Sequence, residues 1–79
     1  MDLGKILDQV QIEFNEKQLS AYVCEDEGFV THLVCRYIAW IECYDLEKVD
    51  QVHQVLSKYG LRISDEHKEF DYLVIDLDV

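Results

Sequence analysis

The 79-residue sequence predicts a small α+β fold: a single-layer antiparallel or mixed β-sheet of about five strands, packed against one main α-helix, with a short N-terminal helix. Three observations carry this expectation. Stretches between residues 10 and 44 alternate apolar with polar side chains and are dense in β-branched and aromatic residues, as strands are. Residues 45–60 instead show a helical period with a start signal and a stop signal. The chain has no proline and only three glycines, which leaves no linker composition, so residues 1–79 form one acidic domain. Apolar residues make up 49% of it, enough for a core, although a chain this short buries only roughly 60–65% of its unfolded surface.

Taken in order, Leu3, Ile6, Leu7 and Val10 recur at helical spacing and predict a short helix over 2–9, weakened by Gly4. Val10, Ile12 and Phe14 then alternate with Gln11, Glu13 and Asn15 as in a half-buried strand; residues 15–17 read as a turn, and Leu19, Ala21 and Val23 resume the alternation as the second arm of a hairpin. Glu25, Asp26 and Glu27, closed by Gly28, read as the tip of a further hairpin, because alternation stops near Cys24 and resumes at Phe29. The run from Phe29 to Tyr44 fits both a strand and an apolar helical stripe; its β-branched and aromatic content tilts it to a long strand with a bend or bulge.

Asp45 is a good N-cap, since its carboxylate can accept from the free amides of a first helical turn. Leu46, Val49, Val52, Val55, Leu56 and Tyr59 trace one face of the predicted main helix, and Gly60 supplies the left-handed residue that stops it. Leu61 and Ile63 begin a strand, residues 64–69 read as a polar connection, and Leu73, Ile75, Leu77 and Val79 line one face of a last strand whose other face ends in Asp76 and Asp78.

Seventeen acidic residues against seven Lys and Arg give a formal net charge of −10. Such a field repels nucleic acid and anionic membrane and attracts basic partners. The bases, Lys5, Lys17, Arg36, Lys48, Lys58, Arg62 and Lys68, are scattered singly, so no basic stripe for nucleic acid forms. The N-terminal residues show neither a signal-peptide pattern nor a membrane-spanning run. With no export signal and an odd cysteine count, Cys24, Cys35 and Cys43 are expected to be reduced thiols of a cytoplasmic protein.

Chemistry-bearing patterns are sparse. Cys24, Cys35, Cys43, His32, His53 and His67 include metal-ligand types, but no cysteine pair has structural-zinc spacing, and His32 and Cys35 share a face only on a helix; no metal and no cofactor are expected. Ser20, Ser57 and Ser64 lie in no nucleophile-elbow sequence and no glycine-rich phosphate loop is present, so an enzyme is not expected.

The acids remain. Glu25, Asp26 and Glu27 form one group, residues 65–71 a second, and Asp76 with Asp78 a third. Carboxylates two apart on a strand point the same way, roughly 6.5–7 Å from one another, and such a row resembles successive phosphates of a nucleic-acid backbone. Solvated charged turns are the competing reading. Trp40, with Tyr44, Glu42 and Ile38 on its strand face, fits either a core position beneath a helix, the favoured reading, or an interface anchor.

The expectation is therefore a small acidic binding protein, a stoichiometric inhibitor that occupies the basic surface of a nucleic-acid-handling protein partner. Its contact residues would be Glu25, Asp26, Glu27, Trp40, Asp76 and Asp78. Phage anti-restriction and anti-CRISPR proteins and the cognate inhibitors of toxic nucleases are of this size and charge, and the comparison rests on those two properties alone. The alternative is a structural or regulatory subunit that forms a homodimer and is acidic only for solubility.

Overall fold

A computed structural model describes residues 2–31 and 34–79, with side chains described for 2–26 and 37–79. The elements are helix α1 (Leu3–Glu16), strands β1 (Ala21–Thr31) and β2 (Val34–Cys43), a 3₁₀ turn (Leu46–Lys48) that leads into helix α2 (Val49–Lys58), and strands β3 (Arg62–Lys68) and β4 (Leu73–Asp78). The strands form one open sheet in the order β1-β2-β4-β3, with every neighbouring pair antiparallel. The smallest dimension of the molecule, 17 Å, fits one sheet and one helical layer. Among the described residues no helix is long and apolar enough to cross a membrane.

The fold is α+β as expected, with two corrections to its parts. Four strands are present rather than about five, and the N-terminal helix, expected to be short and to span 2–9, runs over Leu3–Glu16 and is longer than α2. The missing strand is the one expected at residues 10–14, which belongs to α1. Leu7, Val10 and Phe14 are each at most 1% exposed and sit at i, i+3 and i+7, whereas Ile12 is 47% exposed. The alternation of three apolar residues was incidental to a longer helical stripe, and burial of that stripe outweighs it. Asp2 caps the helix by accepting from the Gly4 amide at 3.0 Å. The chain leaves α1 through left-handed backbone at Gln18 and Ser20 (φ 54° and 52°), which turns it directly into β1.

The helical segment expected after Asp45 is present, but its first turn is 3₁₀, the α-helix begins only at Val49, and Leu46, expected on the apolar face, is exposed. Asp45 accepts from the Glu47 amide, Val52, Val55 and Leu56 are buried, and Gly60 adopts φ 73°. Segment 64–69, expected as a connection, mostly belongs to β3, whose residues are all exposed. The run from residue 29 to 44 divides between the end of β1 and all of β2, which pair from Ala21↔Cys43 to Thr31↔Val34.

Both helices cover the same face of the sheet. Leu7, Val10 and Phe14 of α1 and Val52, Val55 and Leu56 of α2 meet Ala39, Ile41 and Cys43 of β2 and Ile75 and Leu77 of β4 in one core. Glu13 joins the helices on the outside: its carboxylate accepts from Lys58 at 2.7 Å and from the Tyr59 hydroxyl at 3.1 Å, with Lys17 at 3.5 Å. Lys58 above all, opposed by partial burial, holds Glu13 below the usual carboxylate range. His53 and Glu66 pair between α2 and β3.

Candidate functional site

Strand geometry decides which side chains lie opposite the helices. Ala39, Ile41 and Cys43 point into the core, so Ile38, Trp40 and Glu42 point to the other face of β2. Register adds Tyr22, Cys24 and Asp26 from β1, Val74 and Asp76 from β4, and Asp65 and His67 from β3. No described helix lies on this face. Trp40 is thus not core beneath a helix, as the favoured sequence reading had it, but sits on the uncovered side. An alternating strand cannot reveal from sequence which of its faces the helices will take.

The centre of the face is a fixed carboxylate among aromatics. Glu42 accepts from the Trp40 indole N–H at 3.0 Å and from the Tyr44 hydroxyl at 2.8 Å. These donors, Trp40 first, hold Glu42 below the usual carboxylate range and so keep it ionised, and the same bond pushes Tyr44 up to about 12. Tyr44 meets Tyr22 edge to face (centroids 5.7 Å apart) and stacks on Tyr72 (4.9 Å), arrangements that aromatic pairs prefer. Sequence reasoning placed Glu42 and Tyr44 beside Trp40 but did not weigh them as contact residues. It did not weigh Tyr22 or Tyr72 as contact residues either, because they arrive from β1 and from the residue just before β4.

Beyond Trp40↔Asp76 the pairing of β2 with β4 stops, while β4 continues against β3 to Arg62↔Asp78. A groove of about 340 Å³ opens at this split, lined by Tyr37, Ile38 and Ala39 on one side and by Ser64, Asp76 and Asp78 on the other. The structure therefore sets Asp76 and Asp78 on one groove and places Trp40 directly across from Asp76. Asp78 already has a counter-charge, Arg62, at 3.6 Å.

The acidic triplet behaves differently from expectation. Glu25, Asp26 and Glu27 form no hairpin tip; they lie within β1, opposite Ala39, Ile38 and Tyr37. The composition Glu-Asp-Glu-Gly is that of a turn, but a strand accommodates it by sending successive carboxylates to opposite faces. Asp26 joins the open face across from Ile38. Glu25 lies on the helix side, in a hollow with Leu7, Asp8 and Gln11. The Glu27 side chain is not among those described.

Cys43 is a buried free thiol, and Cys24 is a partly buried one, pushed up to about 11 by desolvation and then by the charge of Glu42. Neither has the depressed range of a nucleophile. His32 lies outside the described residues, as does the side chain of Cys35. The one group of described side chains arranged as metal ligands is Asp65, His67 and Asp76, whose ligand atoms lie within 4.8 Å of one another. The sequence reading passed over it because Asp65 and His67 were assigned to a connection. The usable signal was their spacing of two, which aligns side chains on a strand.

No protein-family model, no curated protein and no solved structure matches the chain. The functional reading therefore rests on the residues and their geometry.

Proposed function

We propose that the protein is a non-catalytic binding protein whose uncovered sheet face takes a basic, arginine-bearing surface of a protein partner of the kind that handles nucleic acid. One observation supports this reading above the others. The face opposite the helices combines Trp40, Tyr22, Tyr44 and Tyr72 with the carboxylates of Asp26, Glu42 and Asp76, on a chain of net charge −10. Guanidinium groups stack on aromatic rings and pair with carboxylates in a planar fork, so an aromatic–acidic face suits arginine better than any other protein side chain. The ionised, pre-positioned Glu42 lowers the ordering cost of such a contact. Occupying a partner's phosphate-binding arginines would make the protein a stoichiometric inhibitor. A homodimer through the same face is disfavoured, because it would set Asp26, Glu42 and Asp76 against their own copies.

The test is an NMR titration of the labelled protein with two peptides of equal charge, one arginine-rich and one lysine-rich, repeated at rising salt. The expected result is a salt-sensitive shift of the Trp40 indole and of its neighbours in β2 and β4, larger for the arginine peptide. Reversal of Asp26 and Asp76 to Lys abolishes it, while reversal of Asp8 on α1 does not. Equal shifts spread over the acids of both helices, with Trp40 unmoved, would refute the assignment of this face.

A further inference from the structure

We propose that Asp65, His67 and Asp76 form a binding site for a first-row divalent transition-metal ion such as zinc, with Glu69 orienting the imidazole. The inference does not rest on the partner-binding reading, although the two share Asp76. Nδ1 of His67 lies 3.1 Å from Oδ2 of Asp65 and 3.9 Å from Oδ2 of Asp76, and Nε2 lies 3.2 Å from Oε1 of Glu69. A tetrahedral ion with bonds of about 2.1 Å holds its ligand atoms roughly 3.4 Å apart. The two distances at Nδ1 bracket that value, so a small side-chain rotation converts the cluster into a coordination site.

Two features of the cluster call for a cation. The first is the imidazole itself. A neutral ring carries one N–H and one lone pair. Since both nitrogens face carboxylate oxygens, the lone pair meets one of them whichever tautomer forms. Donation of Nε2–H to Glu69 leaves the Nδ1 lone pair directed at Asp65 and Asp76, and this carboxylate–histidine arrangement is the one that accompanies histidine ligands in metal sites. The second is the register. Asp65 and Asp76 are direct cross-strand partners, and like charges directly opposite each other destabilise a sheet. With Glu69 they place three carboxylates around one ring, so a protonated His67 neutralises only one of them. A divalent ion at Nδ1 removes the lone-pair clash and neutralises the cross-strand pair together. The imidazole nitrogen favours a borderline ion over magnesium or calcium, which prefer oxygen ligands throughout. Three protein ligands leave positions for water or for a group from a partner.

The experiment is titration of the full chain with zinc chloride, and separately with magnesium chloride, followed by the ring ¹⁵N and ¹H resonances of the histidines and by thermal unfolding. Expected are one-to-one zinc binding that shifts Nδ1 of His67, and a higher melting temperature with zinc but not with magnesium. His67→Gln, Asp65→Asn and Asp76→Asn should each abolish the response, and Glu69→Gln should weaken it by about 10-fold or more. His53→Gln and Cys24→Ser should leave it unchanged, and the free-state spectra of all variants show whether the fold is kept. Zinc affinity that survives His67→Gln, or equal responses to zinc and magnesium, would overturn the site. A His67 ring that responds only to protons at every zinc concentration would assign the place to a proton and overturn it as well.

Discussion

The assignment of residues 3–16 to a helix can be tested at three neighbouring apolar positions. A strand would bury Val10, Ile12 and Phe14 on one face, and truncation would cost comparable amounts at each. The helix buries Val10 and Phe14 almost completely and leaves Ile12 47% exposed. Phe14→Ala should then cost about 3–5 kcal/mol and Val10→Ala about 2 kcal/mol. Ile12→Ala should change stability by less than about 1 kcal/mol, because half of the side chain stays in water and alanine is the better helix former. At roughly 0.05–0.15 kcal/mol per residue the whole domain is worth about 4–12 kcal/mol, so Phe14→Ala can unfold it outright. Phe14→Leu, which removes only a few buried carbons at about 0.8 kcal/mol per methylene, keeps the comparison measurable. The assay is urea unfolding followed by circular dichroism, with midpoints compared at a common slope. A loss above about 2 kcal/mol for Ile12→Ala, or equal losses at positions 12 and 14, would contradict the helix and restore the strand.

Three further outcomes follow from individual contacts. With its thiol pushed up to about 11 from the usual 9.0, Cys24 carries about a hundredfold less thiolate at pH 8 than a free cysteine; iodoacetamide should alkylate it correspondingly slowly, and faster in Glu42→Gln, while a free-peptide rate in the native protein would show that the thiol is not shielded. Glu13 is held below the usual 4.5, chiefly by Lys58, so its contribution to stability is fully present above the unfolded value and is lost as pH falls through the lower folded value. Glu13→Gln should thus lower the urea midpoint at pH 7, by a difference that shrinks as pH falls below 4.5 and through the lower folded value; a difference that stays constant on acidification would mean that charge is not the cause. The Gln11 side chain donates to the Ala21 carbonyl at 3.1 Å and accepts from the Val23 amide at 2.7 Å, and Gln11→Ala should cost about 1–3 kcal/mol for two hydrogen bonds and speed hydrogen exchange at Val23; unchanged exchange there would show that the contact does not persist in solution.

What could be read from the sequence depended on whether the signal was local. The segment that holds the 3₁₀ turn and helix α2 was legible because both of its ends are written in the chain, with Asp45 capping the 3₁₀ turn at the entry and Gly60 at φ 73° closing the exit. The inward face of β4 was legible from Leu73, Ile75 and Leu77. Helix α1 was not, because a short alternation and a helical stripe coincide at Val10 and Phe14 and only burial against β1 and α2 separates them. The split of Glu25 and Asp26 between two faces was hidden by a turn-like composition. The meeting of Asp65 with Asp76 depends on strand pairing and on the register shift between Ile63 and Asp65, which no local pattern encodes.

The edges and the open face of the sheet differ in how far specific side chains protect them. A sheet edge is sticky through its unpaired backbone groups. On β1 the first outward-facing groups are taken by Gln11, whose amide stands in for a neighbouring strand. On β3 the edge reads Arg-Ile-Ser-Asp-Glu-His-Lys and is exposed throughout, and charged side chains of this kind discourage edge-to-edge pairing. The faces differ as well: one is filled by the two helices, and the other keeps Tyr22 and Tyr44 about half exposed beside an ionised Glu42. Two of the three ways in which an open sheet can associate are thus blunted by specific side chains. The third, face to face, is left open, with Tyr22 and Tyr44 beside the ionised Glu42. A surface of that kind would suit the basic partner proposed above, and the aromatic rings around Glu42 are the reason for proposing arginine in particular.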